Sequence, residues 1–275
     1  MKYCLSGRQN KKYLEKADEI LVEQRDYRYI SDLIIEHPNK TIILDIKDFD
    51  DESLKNCVIE YGKDKTINFV CCIYDLSSNV LEWFNYHNIK FYYGYSVNSF
   101  YDVKGLIDLG VEYVKVHAPL TFSVDLLSKF DCKFRMIPNV AYDAYIPRYD
   151  GICGQWVRPE DVQYYENGIY VFEFENANLE QERTLYDVYA EQKIWNGNLY
   201  FLITNLNVHC DNRGLPDDIG QVRANCGQRC MQTGSCHFCQ TAFMFEKTLR
   251  ENKNNIKERI LELKENNWFF IKNMI

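Results

Sequence analysis

Four cysteines lie close together near the C-terminal end of the sequence, at Cys226, Cys230, Cys236 and Cys239. Their spacing, C-x3-C-x5-C-x2-C, places four thiols on short polar turns, where thiolates would repel one another unless a cation neutralised them. A structural cysteine in a core usually occurs singly, as a small apolar side chain. The run therefore predicts a metal site with four thiolate ligands.

The spacing leaves the identity of the metal open. A tetrahedral zinc ion accepts four thiolates, and an iron–sulfur cluster takes the same four ligands. A disulfide or a metal-free arrangement is the third alternative. Cys153, between small residues in Gly-Ile-Cys-Gly, is predicted as an additional cofactor ligand. Three other side chains could replace one thiolate or join the site: His209, Cys210 and His237.

Length and composition are those of one large soluble domain with an appendage. The 275 residues are 46% apolar, with a net charge of −8, and a single barrel domain of about 250 residues is within the usual range. No apolar run reaches the ~18 residues of a membrane span, and the N-terminus has no long apolar stretch. Because clustered cysteines bind metal rather than pair in a reducing compartment, we expect a cytoplasmic protein with no membrane segment.

Charge is unevenly distributed along the chain. From Arg223 to Ile275 there are nine Lys or Arg against five Asp or Glu, whereas the other residues are acidic overall. A basic segment on an acidic body indicates an anionic partner, and RNA is the partner we predict for it. The expected phosphate contacts are Arg223, Arg229, Lys247 and Arg250. The alternative is an amphipathic docking helix, because apolar residues recur there at helical spacing.

Short apolar runs alternate with helical stretches up to about residue 174. This order is typical of βα units around a parallel sheet. Eight strands are predicted, which indicates a closed (β/α)8 barrel of the TIM type: 3–5, 19–22, 41–46, 67–74, 90–94, 113–117, 133–137 and 169–174. Helices are predicted over 26–36, 53–61, 77–87, 99–109 and 123–130, several of them after a Ser or Asp cap.

Two domains follow from this pattern. Residues 1–199 are predicted to form the barrel, and residues 200–275 the cysteine-rich metal segment with an amphipathic helix packed on the barrel. The seventh βα unit departs from the alternation of strand and helix, because residues 139–168 contain no clear helix. We expect an insertion there that lies over the barrel mouth.

Polar residues that end the predicted strands are the candidates for catalysis, because a parallel barrel does its chemistry at the C-terminal ends of its strands. Two carboxylates, an amine and an imidazole stand out: Asp45, Lys47, His117 and Glu175. Alternation along a strand places Asp45 and Lys47 on the same side. Groups of these types facing one cavity could transfer protons, so we predict them as catalytic residues.

Several segments occur in an order that is found in a known family. The sequence opens with Cys-Leu-Ser-Gly at 4–7, followed by a helix and by Ala-Asp-Glu-Ile-Leu-Val at 17–22. Further on, Arg-Pro-Glu-Asp-Val at 158–162 precedes the run from Ile169 to Glu175. In this order, residues 1–199 resemble the collagenase-like peptidases of family U-thirty-two. That family has a C-P-A-G or A-P-A-G start, an A-D-A-V-Y strand, an S-P-R-D-L segment and a K-I-E-G-R strand.

The resemblance implies a TIM barrel and several possible activities. Family members include proteins classed as peptidases, tRNA and ribosomal RNA hydroxylation enzymes, and ubiquinone-biosynthesis hydroxylation proteins, several with a four-cysteine iron–sulfur cluster. Glu175 is the residue of the K-I-E-G-R motif that carries over, because the family's lysine falls on Glu173 and its Gly-Arg pair on Asn176 and Ala177. Cys153 falls where the family usually places cluster ligands.

Three function hypotheses result. The first is a metal-dependent barrel enzyme that resembles the hydroxylation branch of this family and acts on RNA or on a small aromatic substrate. The second is a non-catalytic binding or structural barrel stabilised by a zinc knuckle, which the departures from the K-I-E-G-R motif favour. The third is base exchange like that of the tRNA-guanine transglycosylases, which also join a barrel to a cysteine-rich zinc site.

Overall fold

The computed structural model of this chain describes residues 1–117, 120–140, 155–174, 177–196, 212 and 217–225. The chain divides into two compact units. The first comprises Met1–Met136 and Glu166–Phe174, and the second comprises Ile137–Tyr165 and Glu175–Ile275. The domain boundary predicted between residues 199 and 200 lies outside the described residues and stays a prediction.

Eight parallel strands form a nearly closed TIM barrel in the first unit. The strands are β1 (Lys2–Ser6), β2 (Glu19–Glu23), β3 (Thr41–Ile46), β4 (Phe69–Ile73), β5 (Phe91–Tyr93), β6 (Tyr113–Val116), β7 (Lys133–Met136) and β10 (Val171–Glu173). Their order in the sheet is β5-β4-β3-β2-β1-β10-β7-β6, and each neighbouring pair is parallel. The predicted fold class and all eight predicted strands are confirmed.

The barrel closes between β5 and β6 through isolated hydrogen bonds. The backbone N–H of Glu112 donates to the carbonyl of Phe91 at 2.8 Å. Val97 forms a single parallel bridge with Val116, and its N–H donates to the carbonyl of Lys115 at 2.9 Å. Because β5 has only three residues, the segment after it completes the ring.

Helices connect the barrel strands, as the sequence predicts. They are α1 (Lys11–Lys16), α2 (Ile30–Glu36), α3 (Glu52–Lys63), α4 (Ser78–His87), α5 (Phe100–Asp108) and α6 (Val124–Leu127). A 3-10 turn over Gln24–Tyr29 replaces the first part of the helix predicted at 26–36. The Asp51 side chain caps α3 by accepting the N–H groups of Ser53 and Leu54. Such a cap contributes about 1 kcal/mol.

An apolar layer between the strands and the helices holds the barrel together. Outward-facing strand residues such as Ile42 and Leu44 pack in one cluster with Leu54, Val58 and Phe84 of the helices. Burying each such side chain contributes about 1.5–3 kcal/mol. Since this layer supplies the apolar core, the inward-facing positions of the same strands can carry polar groups.

The second unit contains a short hairpin and two helices in the part that the structure describes. Strand β8 (Asn139–Val140) pairs antiparallel with β9 (Gln155–Trp156), and a 3-10 turn spans Pro159–Tyr164. Helices α7 (Leu179–Ala190) and α8 (Ile219–Asn225) complete it. Within residues 139–140 and 155–168 there is no α-helix, in agreement with the predicted irregular seventh unit. Its predicted position over the barrel mouth stays a prediction.

No helix in the described part of the chain is long and apolar enough to cross a bilayer.

Candidate active site at the barrel mouth

The inward positions of the barrel strands are rich in polar side chains. A TIM barrel is usually filled by branched apolar residues, and this one has some of them, including Ile43, Val70 and Val171. Alternation along each strand places a second group in the same interior: Cys4, Glu19, Asp45, Cys72, Tyr92, Tyr113, Lys115, Arg135 and Glu173. Each of these is at most 9% exposed.

Four of these side chains form a buried charge network, which we call the lumen network: Glu19, Lys115, Arg135 and Glu173. The guanidinium of Arg135 lies between the two carboxylates. It donates from Nη1 to Glu19 Oε2, and from Nη2 to Glu173 Oε2 at 3.0 Å. Lys115 Nζ donates to Glu173 Oε1 at 3.0 Å, and the Tyr113 hydroxyl donates to Glu19 Oε1 at 3.0 Å. Two cations therefore balance two anions.

This network keeps Glu173 and Arg135 charged. Burial alone would raise the pKa of Glu173, but Lys115 and Arg135 outweigh burial and lower the pKa to about 2. Burial likewise opposes the charge of Arg135, yet Tyr92, Glu19 and Glu173 raise the guanidinium pKa above its usual value. A carboxylate with a pKa of about 2 and both oxygens occupied is a poor base. The lumen network is therefore better suited to holding the barrel than to moving protons.

The four residues of the lumen network are not among the site residues predicted from the sequence. A signal for it was present, because Lys115 and Arg135 each interrupt a short run of buried apolar residues at an inward position. A charged residue in the middle of a buried strand requires a partner. The partners are distant in sequence, since Arg135 and Glu19 are 116 residues apart.

Asp45 and Lys47 come together at the mouth, as alternation predicted. Lys47 Nζ lies 3.1 Å from Asp45 Oδ2 and 3.5 Å from the centre of the Tyr74 ring. The lysine side chain is 60% exposed, whereas that of Asp45 is 12% exposed. Asp45 Oδ1 is buried, and no donor among the described residues is in hydrogen-bonding geometry with it. We call Asp45, Lys47 and Tyr74 the mouth group.

Two other neighbours of Asp45, Tyr74 and Cys72, are neutral hydrogen-bonding groups at physiological pH. Burial, with Cys72 and Asp45 nearby, raises the pKa of the Tyr74 hydroxyl far above its usual value. Burial, together with Asp45 and Glu173, raises the pKa of the Cys72 thiol to about 12. Tyr74 can therefore donate a proton or a hydrogen bond, and Cys72 is not a nucleophilic thiolate.

Aromatic side chains surround the mouth group. The rings of Tyr74 and Tyr95 are 4.9 Å apart and edge-to-face. A cavity of about 410 Å³ opens beside them, with Lys47 and Tyr74 in its wall. Further lining residues include Asp48, Phe49, Asp50, Asp75 and Trp83. A cavity of this size accommodates a small molecule with one ring.

The other two predicted catalytic residues have different outcomes. His117 directly follows β6 and is half-buried, so it lies at the same end of the barrel as Asp45. Its backbone N–H donates to the carbonyl of Val97 at 2.8 Å. Glu175 lies outside the described residues. The catalytic roles of Asp45, Lys47, His117 and Glu175 stay predictions.

The predicted metal ligands also lie outside the described residues. This holds for Cys226, Cys230, Cys236 and Cys239, and for Cys153, His209, Cys210 and His237. In the described part of the chain no group of three or more His, Cys, Asp or Glu side chains is arranged to hold a metal ion. The cysteines there are free thiols, including the buried Cys4, Cys71 and Cys72. The metal site therefore stays a prediction from spacing.

Comparison with known proteins assigns no family to this chain. No protein-family model matches the chain, and no curated protein matches it. A solved structure described as the 4-hydroxy-2-oxoglutarate aldolase/2-deydro-3-deoxyphosphogluconate aldolase from TTHB1 is similar at 12% identity, with a TM-score of 0.41. The similarity covers 69% of this chain and 90% of that chain. The fold assignment rests on the strand order, and the resemblance to the collagenase-like peptidase family stays a prediction.

Proposed function

We propose that this protein is a barrel enzyme that transfers protons on a small ring-containing substrate at the C-terminal mouth of the barrel. Asp45 is the proton acceptor, and Lys47 stabilises the negative charge that develops on the substrate. Tyr74 supplies a neutral hydroxyl that can donate a hydrogen bond. A small aromatic substrate is one of the two that the sequence predicts for a barrel enzyme.

The observation that carries this proposal is the unpaired carboxylate oxygen of Asp45. A buried acceptor without a donor costs about 1–3 kcal/mol and is uncommon in a folded protein. Asp45 Oδ1 has this property at the end of the barrel where enzymes of this fold carry out their chemistry. Glu173 lies in the same interior, but both of its oxygens accept hydrogen bonds. The free oxygen is therefore at the mouth and not in the lumen network.

The cavity beside the mouth group supports a ring-containing substrate. Tyr74, Phe49 and Trp83 line it, and the Tyr74 ring also contacts the ring of Tyr95. Aromatic rings prefer offset or edge-to-face contacts with such walls. The exposed ammonium of Lys47 could pair with an anionic group of the substrate.

Proton transfer can be tested without knowing the natural substrate. Small ring compounds with acidic C–H groups, phenylpyruvate among them, are incubated with the full-length protein in deuterium oxide. Exchange above the buffer rate is followed by proton NMR. Asp45→Asn is expected to lower the exchange rate by at least about 100-fold. Asp50→Asn is the matched control, because this exposed carboxylate lines the cavity next to Lys47 and Tyr74. Equal rates in both variants would contradict the proposal.

The lumen network favours a second candidate, a non-catalytic barrel module. Its charges are fully paired and hold several strands together, which requires no reaction. A binding module would show no exchange with any ring compound, and Asp45→Asn would leave ligand binding unchanged. The same NMR samples therefore separate the two candidates.

We retain the metal centre on Cys226, Cys230, Cys236 and Cys239 as a proposal, supported by their spacing. Zinc and an iron–sulfur cluster are both open, and hydroxylation chemistry would follow from the resemblance only with a cluster. Anaerobic purification with an absorption spectrum and metal analysis tests this. A Cys236→Ser variant should lose the metal and the stability that it contributes. Protein free of both zinc and iron would contradict it.

RNA binding through the basic segment is a separate proposal from the sequence. Arg223, one of its four expected phosphate contacts, is 2% exposed within α8 and is therefore not available to a phosphate group. The other three, Arg229, Lys247 and Arg250, lie outside the described residues. A filter-binding titration with total RNA at two salt concentrations tests this partner, since phosphate contacts make affinity fall steeply with salt.

A further inference from the structure

A second cavity opens at the other end of the barrel from Asp45, where the strands begin. Its volume is about 250 Å³. Four lysines line it, and each lies at or just before the start of a different strand: Lys2, Lys40, Lys90 and Lys133. Other polar residues of its wall are Asp18, Asn39, Thr41, Asn68 and Glu112. We call this cavity the lysine cavity.

The lysine cavity has more positive than negative charge. It contains four ammonium groups and two carboxylates. Asp18 already accepts the backbone N–H of Tyr3 at 2.9 Å. Glu112 accepts Lys133 Nζ at 2.6 Å and lies 3.6 Å from Lys90 Nζ. Lys40 forms no ion pair with a residue in the described part of the chain. Two positive charges are therefore left without a matching carboxylate, on a protein with an overall negative charge.

Two tyrosines fix the wall beside these lysines. The rings of Tyr113 and Tyr170 stack with centres 6.3 Å apart. Lys2 Nζ lies 4.6 Å from the centre of the Tyr170 ring, and Lys133 Nζ lies 5.4 Å from both rings. A hydrogen bond to Tyr170, opposed by partial burial, raises the pKa of Lys2. Two of the four lysines, Lys2 and Lys133, are therefore held beside the aromatic wall.

Converging ammonium groups repel one another, and an anion between them would relieve that repulsion. We propose that the lysine cavity binds a compact anion with two or more negative charges, either a phosphorylated or a multiply carboxylated small molecule. The amide groups of Asn39 and Asn68 and the hydroxyl of Thr41 can donate further hydrogen bonds to its oxygens. The site is separate from the mouth group and does not depend on the proposed proton transfer.

The proposal is tested by calorimetry with the full-length protein, using pyrophosphate and citrate at constant ionic strength. Binding of pyrophosphate alone identifies a phosphate ligand, and binding of citrate alone identifies a carboxylate ligand. The double variant Lys40→Gln/Lys90→Gln should weaken binding by about tenfold. Lys104→Gln is the control, because Lys104 is exposed on α5 and does not line the cavity.

Glu112→Gln should change anion affinity in the opposite direction. It removes one of the two carboxylates, so anion affinity should increase by about threefold. A residue with only a structural role would not strengthen binding when replaced. The proposal is overturned if neither anion binds, or if Lys40→Gln/Lys90→Gln binds as tightly as the natural protein. The latter result would place the anion on the basic C-terminal segment instead.

Discussion

The lumen network and the mouth group belong to the same barrel but to different strands, and their charged side chains differ in how completely they are paired. In the lumen network, Arg135 and Lys115 satisfy two carboxylates that are almost completely buried. In the mouth group, one oxygen of Asp45 pairs with an exposed lysine, and the other has no donor among the residues that the structure describes. The first arrangement is complete within the protein, whereas the second leaves an acceptor for something else.

This difference distinguishes charged side chains that stabilise the fold from charged side chains that are available for a reaction. Burying an ion costs several kcal/mol unless a partner of good geometry compensates it. The lumen network meets that condition through Glu19 and Glu173, so its removal should unfold the protein. The mouth group does not meet it, so its removal should change activity more than stability.

The largest expected effect is from Arg135→Met. Methionine fills a similar volume but leaves Glu19 and Glu173 with only one cation between them, Lys115. Breaking a buried ion pair in this way costs about 3–5 kcal/mol. Urea unfolding followed by circular dichroism measures the loss.

A double variant shows whether charge or volume causes that loss. Arg135→Met/Glu19→Gln removes one cation and one anion and keeps the pair between Lys115 and Glu173 at 3.0 Å. It should therefore lose less stability than Arg135→Met alone, because no carboxylate is left without a cation. If the double variant is the less stable of the two, the network does not act by charge balance.

The second-largest effect is expected at acidic pH, where the lumen network should stabilise the fold less. The pKa of Glu173 is lowered from its ordinary 4.5 to about 2 in the folded protein. A carboxylate with a lowered pKa stabilises the fold above the unfolded pKa, and this contribution is lost as pH falls from about 4.5 towards 2. The loss is on the order of 3 kcal/mol. Urea unfolding between pH 5 and 2.5 measures it, and a Glu173→Gln variant should have a flatter profile. Parallel profiles would contradict the assignment.

The sequence was sufficient to predict the barrel because each strand and helix has a local signal. Short apolar runs marked all eight strands, and a Ser cap such as Ser99 marked a helix start. The same local rule placed Asp45 and Lys47 on one side of β3, where the structure has them 3.1 Å apart. Both predictions depend on residues that are close in sequence.

The sequence does not reveal which charged residues of the lumen network pair with each other, because their contacts depend on barrel closure. Lys115 and Glu173 are 58 residues apart and Arg135 and Glu19 are 116 apart, so no periodicity connects them. Strand order brings them together, since β10 lies between β1 and β7 in the sheet. The open oxygen of Asp45 depends on which donors lie near it, which is likewise a property of the folded chain.

Gly94→Ala disturbs the mouth group by a smaller amount. A Cβ at Gly94 would lie 2.4 Å from Cζ of Tyr74, so the ring must move. Overpacking of this kind costs about 1–3 kcal/mol, and it should also displace the Lys47 ammonium that lies on the Tyr74 ring. Thermal unfolding measures the cost. Gly105→Ala is the control, because nothing lies within 4 Å of its Cβ and alanine favours the helix. If Gly94→Ala and Gly105→Ala lose the same stability, the idea that the Tyr74 ring positions Lys47 is contradicted.

The smallest expected change in stability is from Asp45→Asn, compared with Glu173→Gln. Both replace a carboxylate by an amide of similar shape at an inward position. Glu173→Gln should cost about 3–5 kcal/mol, because it leaves two buried cations with one carboxylate, Glu19.

Asp45→Asn removes a pair with a lysine that is 60% exposed, and exposed pairs contribute about 0–1 kcal/mol. It also removes a buried charge with an unsatisfied oxygen, which offsets that loss. We therefore expect a change within about 0.5 kcal/mol in urea unfolding. If Asp45→Asn costs as much as Glu173→Gln, the mouth group holds the barrel as the lumen network does. The open oxygen would then no longer be a reason to assign a reaction to this site.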